Sequence, residues 1–281
     1  MPLPSLSALE PGFDLPWRTR REWFRAHLQQ EPVPGISSDE IAAHFDCMPP
    51  YYWERVNLED LVWGLTTVRS FFRLVTAPRV PPTTPILEWR QLPHRGQTRV
   101  MLCTWDRHGL LAKAAAAFSA ARLSILEADV FTRTDNVVLD VFWVADSDGH
   151  GGATPRQLEE MNFLVEGALS EPPRFASVWA CLRHKYLAPP SQFAPRITFD
   201  NTTSASSTLV RLEVSDRLGL LYDILQAIAD TNLNITQARI ETVDKLAHDV
   251  LQITDAHGGK VLDPERLEEL HRNLESALAV T

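Results

Sequence analysis

Two short patterns of polar residues have the types and spacing that could hold a metal ion. Asp146-Ser147-Asp148 places two carboxylates two residues apart, as metal-assisted phosphoryl-type transfer requires. It follows a predicted hairpin, and no glycine-rich turn and helix precede it, so we interpret it as a solvated turn. His248-Asp249 falls inside a predicted strand, where successive side chains point to opposite faces of the sheet. Neither pattern therefore predicts a metal site.

The remaining reactive side chains indicate no nucleophile or cofactor site. The cysteines, Cys47, Cys103 and Cys181, are far apart, form no CxxC pair and have no histidine at metal-ligand spacing. The chain has no GxSxG motif, and its 12 glycines form no phosphate-cradling loop. The sequence thus predicts no catalytic residue, no metal and no cofactor, and a protein that is not an enzyme.

The charge of the chain argues against two classes of partner. The formal net charge is −9 at pH 7, whereas nucleic acids and anionic membranes attract a basic face. The one cationic cluster, Arg18, Arg20, Arg21 and Arg25, is interleaved with aromatic residues at helical spacing. We predict that these arginines form the solvated face of an amphipathic helix.

The chain shows no targeting or membrane segment. The N-terminus lacks a charged region followed by an apolar one, so no signal peptide is predicted. No apolar run approaches the roughly 20 residues that span a bilayer. We therefore expect a cytoplasmic protein.

The sequence repeats itself with an offset of 110 residues, as the numbering of its matches gives. Asp106-Arg107-His108-Gly109 matches Asp216-Arg217-Leu218-Gly219, and Ile125 matches Ile235. After the loss of one residue, Asp140-Val141 matches Asp249-Val250. The register of these matches indicates a duplication.

Both copies contain the same predicted elements. Strands at 98–104 and 208–214 lead into the Asp-Arg-x-Gly turn, whose glycine allows a tight backbone before a helix. Helices follow, with an apolar residue every four positions. Paired strands that read as a hairpin come next, at 124–133 and 137–145 in copy one and at 234–242 and 246–254 in copy two. A second helix is predicted at 155–169 and at 263–278. The order β-α-β-β-α is the α+β ferredoxin-like plan, βαββαβ, once a fourth strand is added.

The position of the fourth strand is open at this stage. In copy one, 175–183 is a candidate; in copy two the chain ends after the helix. Short β-prone runs before each copy, Ile86 to Trp89 and Ile197 to Asp200, are the alternative for this edge. Proline-rich linkers give three parts: a helical N-terminal region at 1–80, copy one at 85–185 and copy two at 195–281. In the first part, Ser37 or Ser38 and Asn57 are predicted helix N-caps.

The phrase Asp-Arg-x-Gly-Leu-Leu between a strand and a helix, followed by Asn-Ile and a hairpin containing Asp-Val, resembles the ACT domain, a regulatory amino-acid-binding module. Copy two is the closer match. Residues 40–281 resemble the C-terminal tandem ACT repeats of the bacterial PII uridylyltransferase/uridylyl-removing enzymes, which are bifunctional nitrogen sensors. The nucleotidyltransferase and HD hydrolase constellations of that family have no counterpart in this sequence.

This resemblance implies where a ligand would bind. ACT domains bind near the turn after the first strand, where backbone N–H groups at a helix N-terminus can meet a carboxylate. The implied ligand-binding residues of copy two are Asp216, Arg217, Leu218, Gly219, Leu220, Asn234 and Ile235; those of copy one are Asp106, Arg107, His108, Gly109 and Leu110. Copy two is the stronger candidate, because copy one has Ser124 where copy two has Asn234. Both turns lack the family's proline, which His108 and Leu218 replace.

The sequence therefore predicts a regulatory protein that senses a small molecule, with an amino acid such as glutamine as the ligand and a role in nitrogen control. Two alternatives remain open. The chain could be a ligand-free ACT scaffold for protein–protein interaction, or a remnant or subunit of a uridylyltransferase-type enzyme. Open sheet edges also predict that the two copies pack side by side and that the chain forms a homo-oligomer.

Overall fold

A computed structural model describes residue 12 and residues 15–149, 151–169, 194–243 and 246–279. The helices are α1 (Trp17–Gln30), α2 (Ser38–Cys47), α3 (Tyr52–Arg55), α4 (Leu58–Val75), α5 (Leu110–Ala120), α6 (Pro155–Leu169), α7 (Leu220–Asp230) and α8 (Pro264–Leu278). The strands are β1 (Ile86–Leu92), β2 (Gln97–Trp105), β3 (Leu123–Asp129), β4 (Val137–Asp146), β5 (Arg196–Asp200), β6 (Thr208–Ser215), β7 (Asn234–Val243) and β8 (Leu246–Thr254).

The strands form a single eight-stranded sheet in the order β1-β2-β4-β3-β7-β8-β6-β5. Each copy contributes four strands, and the order of copy two is that of copy one in reverse. The copies meet at β3 and β7, which pair antiparallel from Glu127 opposite Glu241 to Asp129 opposite Arg239. The expectation that the two copies form one pseudo-symmetric unit is thus confirmed.

The first strand of each copy fills the fourth position of its sheet. In a ferredoxin-like sheet the last strand lies beside the first; here β1 pairs with β2, and β5 pairs with β6. The short β-prone runs predicted for this edge are therefore its strands. The other candidate, 175–183, lies outside the described residues.

Four helices cover one face of the sheet, with α5 and α7 packed against each other where the copies meet. The side chains of α5 are almost all buried, from Leu110 to Ala120, because this helix contacts α6, α7 and β3. Its run of four alanines, residues 114–117, is fully buried. Small side chains allow this close approach of helix to helix and helix to sheet.

The N-terminal helices cover the other face of copy one. Side chains of β2 and β4 are buried on both faces of the sheet, whereas those of β6 alternate between buried and exposed. A strand that is apolar on both faces needs a second layer. Helices α1 to α4 supply that layer, and their core includes Met101, Cys103 and Leu139 from the sheet.

Helix starts in this region follow their predicted caps. The Ser37 hydroxyl accepts a hydrogen bond from the Glu40 backbone N–H, and the Glu40 carboxylate accepts one from the Ser37 N–H, which makes a capping box. Asn57 caps α4 by accepting from the Asp60 N–H at 2.8 Å. Two of the predicted caps, Ser37 and Asn57, are therefore confirmed.

The prediction of a solvated arginine face on α1 was wrong for Arg20. Its side chain is fully buried and donates to the backbone oxygens of Trp53 at 2.8 Å and Val56 at 2.5 Å. The physical reason lies in the spacing, because Arg20 falls four residues before Phe24 and eight before Leu28, both buried on α1. The carbonyls at the end of the short α3 need donors, and a guanidinium supplies them.

The two patterns first considered as metal ligands are structural. Asp146 accepts from Gln157 Nε2 at 3.0 Å, and Asp148 pairs with Arg122. His248 is exposed while Asp249 is buried, so they point to opposite faces as predicted. Within the described ranges, no three His, Cys, Asp or Glu side chains are grouped to hold a metal ion. In the same ranges, no helix has both the length and the apolar character needed to cross a bilayer.

Candidate ligand-binding site

The turn before α5 leaves backbone N–H groups without a side-chain cap. Gly109 has a φ of 68°, and Gly219, at the equivalent place before α7, has a φ of 80°. Only glycine adopts this left-handed conformation at little cost. Neither helix start has a side-chain hydrogen bond to its first turn. In α5 the Leu110 N–H donates to Arg107 O at 3.1 Å and the Lys113 N–H to Gly109 O at 3.0 Å, so the N–H groups of Leu111 and Ala112 are the ones left for an anion.

A cavity of about 120 Å³ lies beside the Gly109 turn, between the two copies. Copy one contributes the turn from Asp106 to Leu110. Copy two contributes Leu225, Leu233, Asn234 and Ile235. The expectation that the glycine turns lie at the copy interface is met here.

The structure corrects how the predicted residues group together. The sequence assigned Asn234 and Ile235 to the Asp216 turn, but they line the cavity beside the Asp106 turn. In exchange, Ser124 and Ile125 of copy one lie beside the Asp216 turn. This exchange follows from the antiparallel pairing of β3 with β7, which sets the start of each strand next to the end of the other.

The two turns are not equivalent as binding sites. The cavity beside Gly219 has a volume of only about 20 Å³, which is roughly enough for one water molecule. The side chain of Asp216 is engaged by a hydrogen bond from the Thr242 hydroxyl. The geometry therefore favours copy one, whereas sequence reasoning favoured copy two.

Asp140 is a cavity residue that sequence reasoning missed. It lies on β4, is fully buried, and its Oδ1 accepts a hydrogen bond from the Phe131 N–H at 3.1 Å. Its Oδ2 is buried and has no hydrogen-bond partner among the described residues. Burial raises the pKa of this carboxyl well above its ordinary value, the charge of Asp106 raises it further, and the Phe131 hydrogen bond opposes both.

Its repeat partner, Asp249, has the same environment in copy two. The side chain is buried, and Oδ1 has no hydrogen-bond partner in the described part of the chain. Burial, with a smaller contribution from the charge of Asp216, raises the pKa of Asp249 to about 7. A signal for both residues was present in the sequence, because Asp140 is an acid among the apolar residues 137–145 and Asp249 matches it in the repeat.

The arginines of the two turns connect each turn to the end of a helix. Arg107 donates to the backbone oxygen of Leu169 at the end of α6, at 2.8 Å, and to Thr104 Oγ1 at 3.0 Å. Arg217 donates to Ala277 O near the end of α8 and to Asp223 Oδ2. A cation near a helix C-terminus is favourable. Each arginine therefore holds its turn against the end of a helix, and each also lines the cavity beside that turn.

The chain is similar in sequence to known proteins. The family model described as an ACR9-like, ACT-like domain matches residues 196–281. The chain is 30% identical over 280 residues to a bifunctional uridylyltransferase/uridylyl-removing enzyme of Gluconobacter oxydans, a match covering 96% of this chain and 28% of that protein. The enzyme of the same name from Azospirillum brasilense is 29% identical, with 98% and 29% covered. An aspartate kinase from Synechocystis matches at a TM-score of 0.34 and 15% identity, over 58% of this chain and 24% of that one.

These matches confirm the resemblance to the uridylyltransferase/uridylyl-removing enzymes and the presence of an ACT-like domain. The chain spans less than a third of the length of these enzymes, since the covered shares are 28% and 29%. The family-model match falls on copy two, which was also the closer match by motif.

Proposed function

We propose that this chain, an ACT-domain regulatory module, binds one amino acid in the cavity beside the Gly109 turn and passes the signal on by contact. The observation that carries the proposal is the buried, unpartnered Oδ2 of Asp140 at a cavity that also borders uncapped helix N–H groups. A zwitterion matches both features, because its carboxylate suits the N–H groups and its ammonium suits the acid. We propose L-glutamine first and a role in nitrogen control, on the strength of the family resemblance.

A route for the signal leads from the cavity to the N-terminal helices. Asn234 and Ile235 line the cavity, and the β7–β8 register shifts immediately after Ile235. The intervening residue, Thr236, uses its carbonyl oxygen to accept a hydrogen bond from Tyr51 Oη at 2.7 Å. Arg55 of α3 also pairs with Asp129 at the end of β3, at 3.0 Å. In this proposal, a shift of the start of β7 on binding is transmitted to the helix layer through these contacts.

Calorimetric titration of the full chain with the twenty amino acids tests the proposal. We expect L-glutamine to bind with one site per chain, because the cavity beside Gly109 is much larger than the one beside Gly219. Asn234→Ala should weaken binding roughly tenfold, the effect of about one lost hydrogen bond. Ser124→Ala, the matched change beside the Gly219 turn, should leave the affinity unchanged.

Three other results would each decide against part of the proposal. If none of the twenty amino acids gives a binding signal, the ligand-free scaffold is favoured. Two sites per chain would mean that the second cavity also opens. Weaker binding in Ser124→Ala, with none lost in Asn234→Ala, would place the ligand in copy two.

We also propose that the chain is a regulator and not a catalyst. Incubation of the purified chain with a PII-like protein, labelled uridine triphosphate and magnesium should give no incorporation of label, because no described cluster of side chains is placed to hold the metal ions that such transfer requires. Time-dependent incorporation that a chelator abolishes would show that the chain is catalytic.

A cytoplasmic location and self-association are part of this proposal. Strands β1 and β5 form the two ends of the sheet, and an edge strand presents backbone groups to which another chain can pair.

A further inference from the structure

The position of Asp140 on β4 directs its carboxyl group toward the helix side of the sheet. Alternate residues of a strand share a face, and its neighbours on that face, Val138 and Phe142, belong to the core beneath α5. Val138 also borders the cavity. The carboxyl group thus lies deep in the cavity, while Asp106 is exposed at its mouth.

The hydrogen bonds around this carboxyl group are incomplete. Phe131 N–H satisfies Oδ1, and nothing in the described chain satisfies Oδ2. A buried polar atom without a partner costs free energy, and in a folded protein such an atom calls for an explanation. A donor brought into the cavity by a ligand would supply the missing bond.

The side chains that line the cavity favour a ligand with a positively charged hydrogen-bond donor. The charged or titratable side chains of the cavity are Asp106, Arg107, His108 and Asp140. The guanidinium of Arg107 is engaged by Leu169 O and Thr83 O, at 2.8 and 3.2 Å, and His108 is exposed. Two carboxyl groups therefore border the space that remains. The ammonium group of an amino acid can donate hydrogen bonds to both carboxyl groups. The keto oxygen of an α-keto acid at the same place is only an acceptor, so it could accept at most the proton of a protonated carboxyl group.

We infer that Asp140 is the receptor for the ammonium group of the bound amino acid, so that the cavity accepts an amino acid, rejects the corresponding α-keto acid, and releases one proton on binding. This inference rests on the proposed function, because it concerns the same cavity. It adds the rejection of the keto acid and a proton balance, neither of which the proposed function contains.

The proton balance follows from the state of Asp140 before binding. In the empty protein the carboxyl group holds its proton, because burial and the charge of Asp106 raise its pKa, and the Phe131 N–H only partly offsets them. Across the sheet, the phenol of Tyr51 and the thiol of Cys103 are the titratable groups that interact with it, and both hold their protons because burial raises their pKa values. The ligand arrives as R–NH3⁺; the Asp140 O–H bond breaks, the proton goes to the buffer, and an ammonium–carboxylate pair remains. Affinity must then rise with pH, by up to about tenfold per pH unit below the pKa of the free protein.

Calorimetry of the full chain with L-glutamine measures this proton. The titration is run at about pH 7 in phosphate and in Tris, whose ionisation enthalpies differ, so that the slope of the observed enthalpy against buffer enthalpy counts protons. We expect a net release of protons, of at most one per site, for the wild type, and no binding of α-ketoglutaramate, the keto acid with the same side chain. Asp140→Asn should release no proton and bind L-glutamine at least about tenfold more weakly.

The matched control is Asp249→Asn, which removes the equivalent acid beside the other turn and should leave both binding and proton release unchanged. Far-ultraviolet circular dichroism checks that each variant folds. The buffer and keto-acid measurements use only the wild type, so they remain decisive if Asp140→Asn does not fold.

The outcomes separate this inference from the proposed function. If an amino acid binds but releases no proton, if its keto acid binds equally well, or if a folded Asp140→Asn retains full affinity, the inference is overturned and the amino-acid site stands. If none of the twenty amino acids binds, the proposed function fails and this inference fails with it.

Discussion

Replacement of Asp249 by asparagine should make the protein much less sensitive to rising pH. The folded-state pKa of this buried carboxyl is about 7, against an ordinary value of 3.8. Between these two values the unfolded chain has lost the proton and the folded chain keeps it, so the free energy of unfolding falls as pH rises and levels off above the folded pKa. A shift of about three pKa units corresponds to roughly 4 kcal/mol. Asparagine has nearly the same shape and never ionises, so its variant avoids this loss.

Urea unfolding of wild type and Asp249→Asn at about pH 3 and about pH 8 measures the effect, since these values lie below the ordinary pKa and above the folded pKa. We expect nearly equal stabilities at the lower pH and a variant that is more stable by up to about 4 kcal/mol at the higher one. Glu268→Gln, which removes an exposed carboxylate from α8, should follow the wild type at both. Parallel pH profiles for wild type and Asp249→Asn would mean that this carboxyl group is not buried in its acid form.

Replacement of Arg20 by methionine should detach α1 from α3 and so loosen the N-terminal helix layer. The guanidinium donates to three backbone oxygens, those of Gly12, Trp53 and Val56, and two of these bonds are buried. Methionine fills the space but donates nothing, so buried carbonyls lose their partners. The expected cost is about 3 to 5 kcal/mol, the sum for two unsatisfied buried acceptors of charged hydrogen bonds.

The thiol of Cys103 reports this detachment, because it is fully buried under the helix layer. We expect labelling of Cys103 by a thiol reagent, followed by peptide mapping, to be much faster in Arg20→Met than in the wild type. Arg25→Met removes an exposed arginine whose guanidinium pairs with Asp46 and lies over the Phe45 ring. It makes no buried hydrogen bond in the described structure, so its loss should cost less than about 1 kcal/mol and leave labelling slow. Equal protection of Cys103 in both variants would show that Arg20 does not hold the layer in place.

The secondary structure of both copies could be predicted from the sequence because it rests on local patterns. The strand at 246–254 and the helix at 155–169 match the observed elements residue for residue. β3 is shorter than predicted, since it ends at Asp129 while the apolar pattern continues to residue 133. Those last residues keep only an isolated bridge to β4, from Thr132 to Val138, and Val130 and Thr132 line the cavity.

The roles of individual polar residues were less predictable, because they depend on what packs against them. Arg20 has the same sequence signal as its exposed neighbours, and only the α3 carbonyls opposite it make burial favourable. Asp140 and Asp249 could be recognised as a matched pair in the repeat. That one borders a cavity of about 120 Å³ and the other a cavity of about 20 Å³ has no local signal.

By itself, the sequence determined the duplication, the order of elements in each copy and the glycine turn before each first helix. These depend on the period of apolar residues and on backbone sterics, which act within a few residues along the chain. Tertiary structure alone decided which turn has room for a ligand and which strand of the other copy completes the cavity beside that turn. The pairing of β3 with β7 brings Asn234 of copy two to the turn of copy one, and a contact between residues more than a hundred positions apart leaves no periodic trace in the sequence.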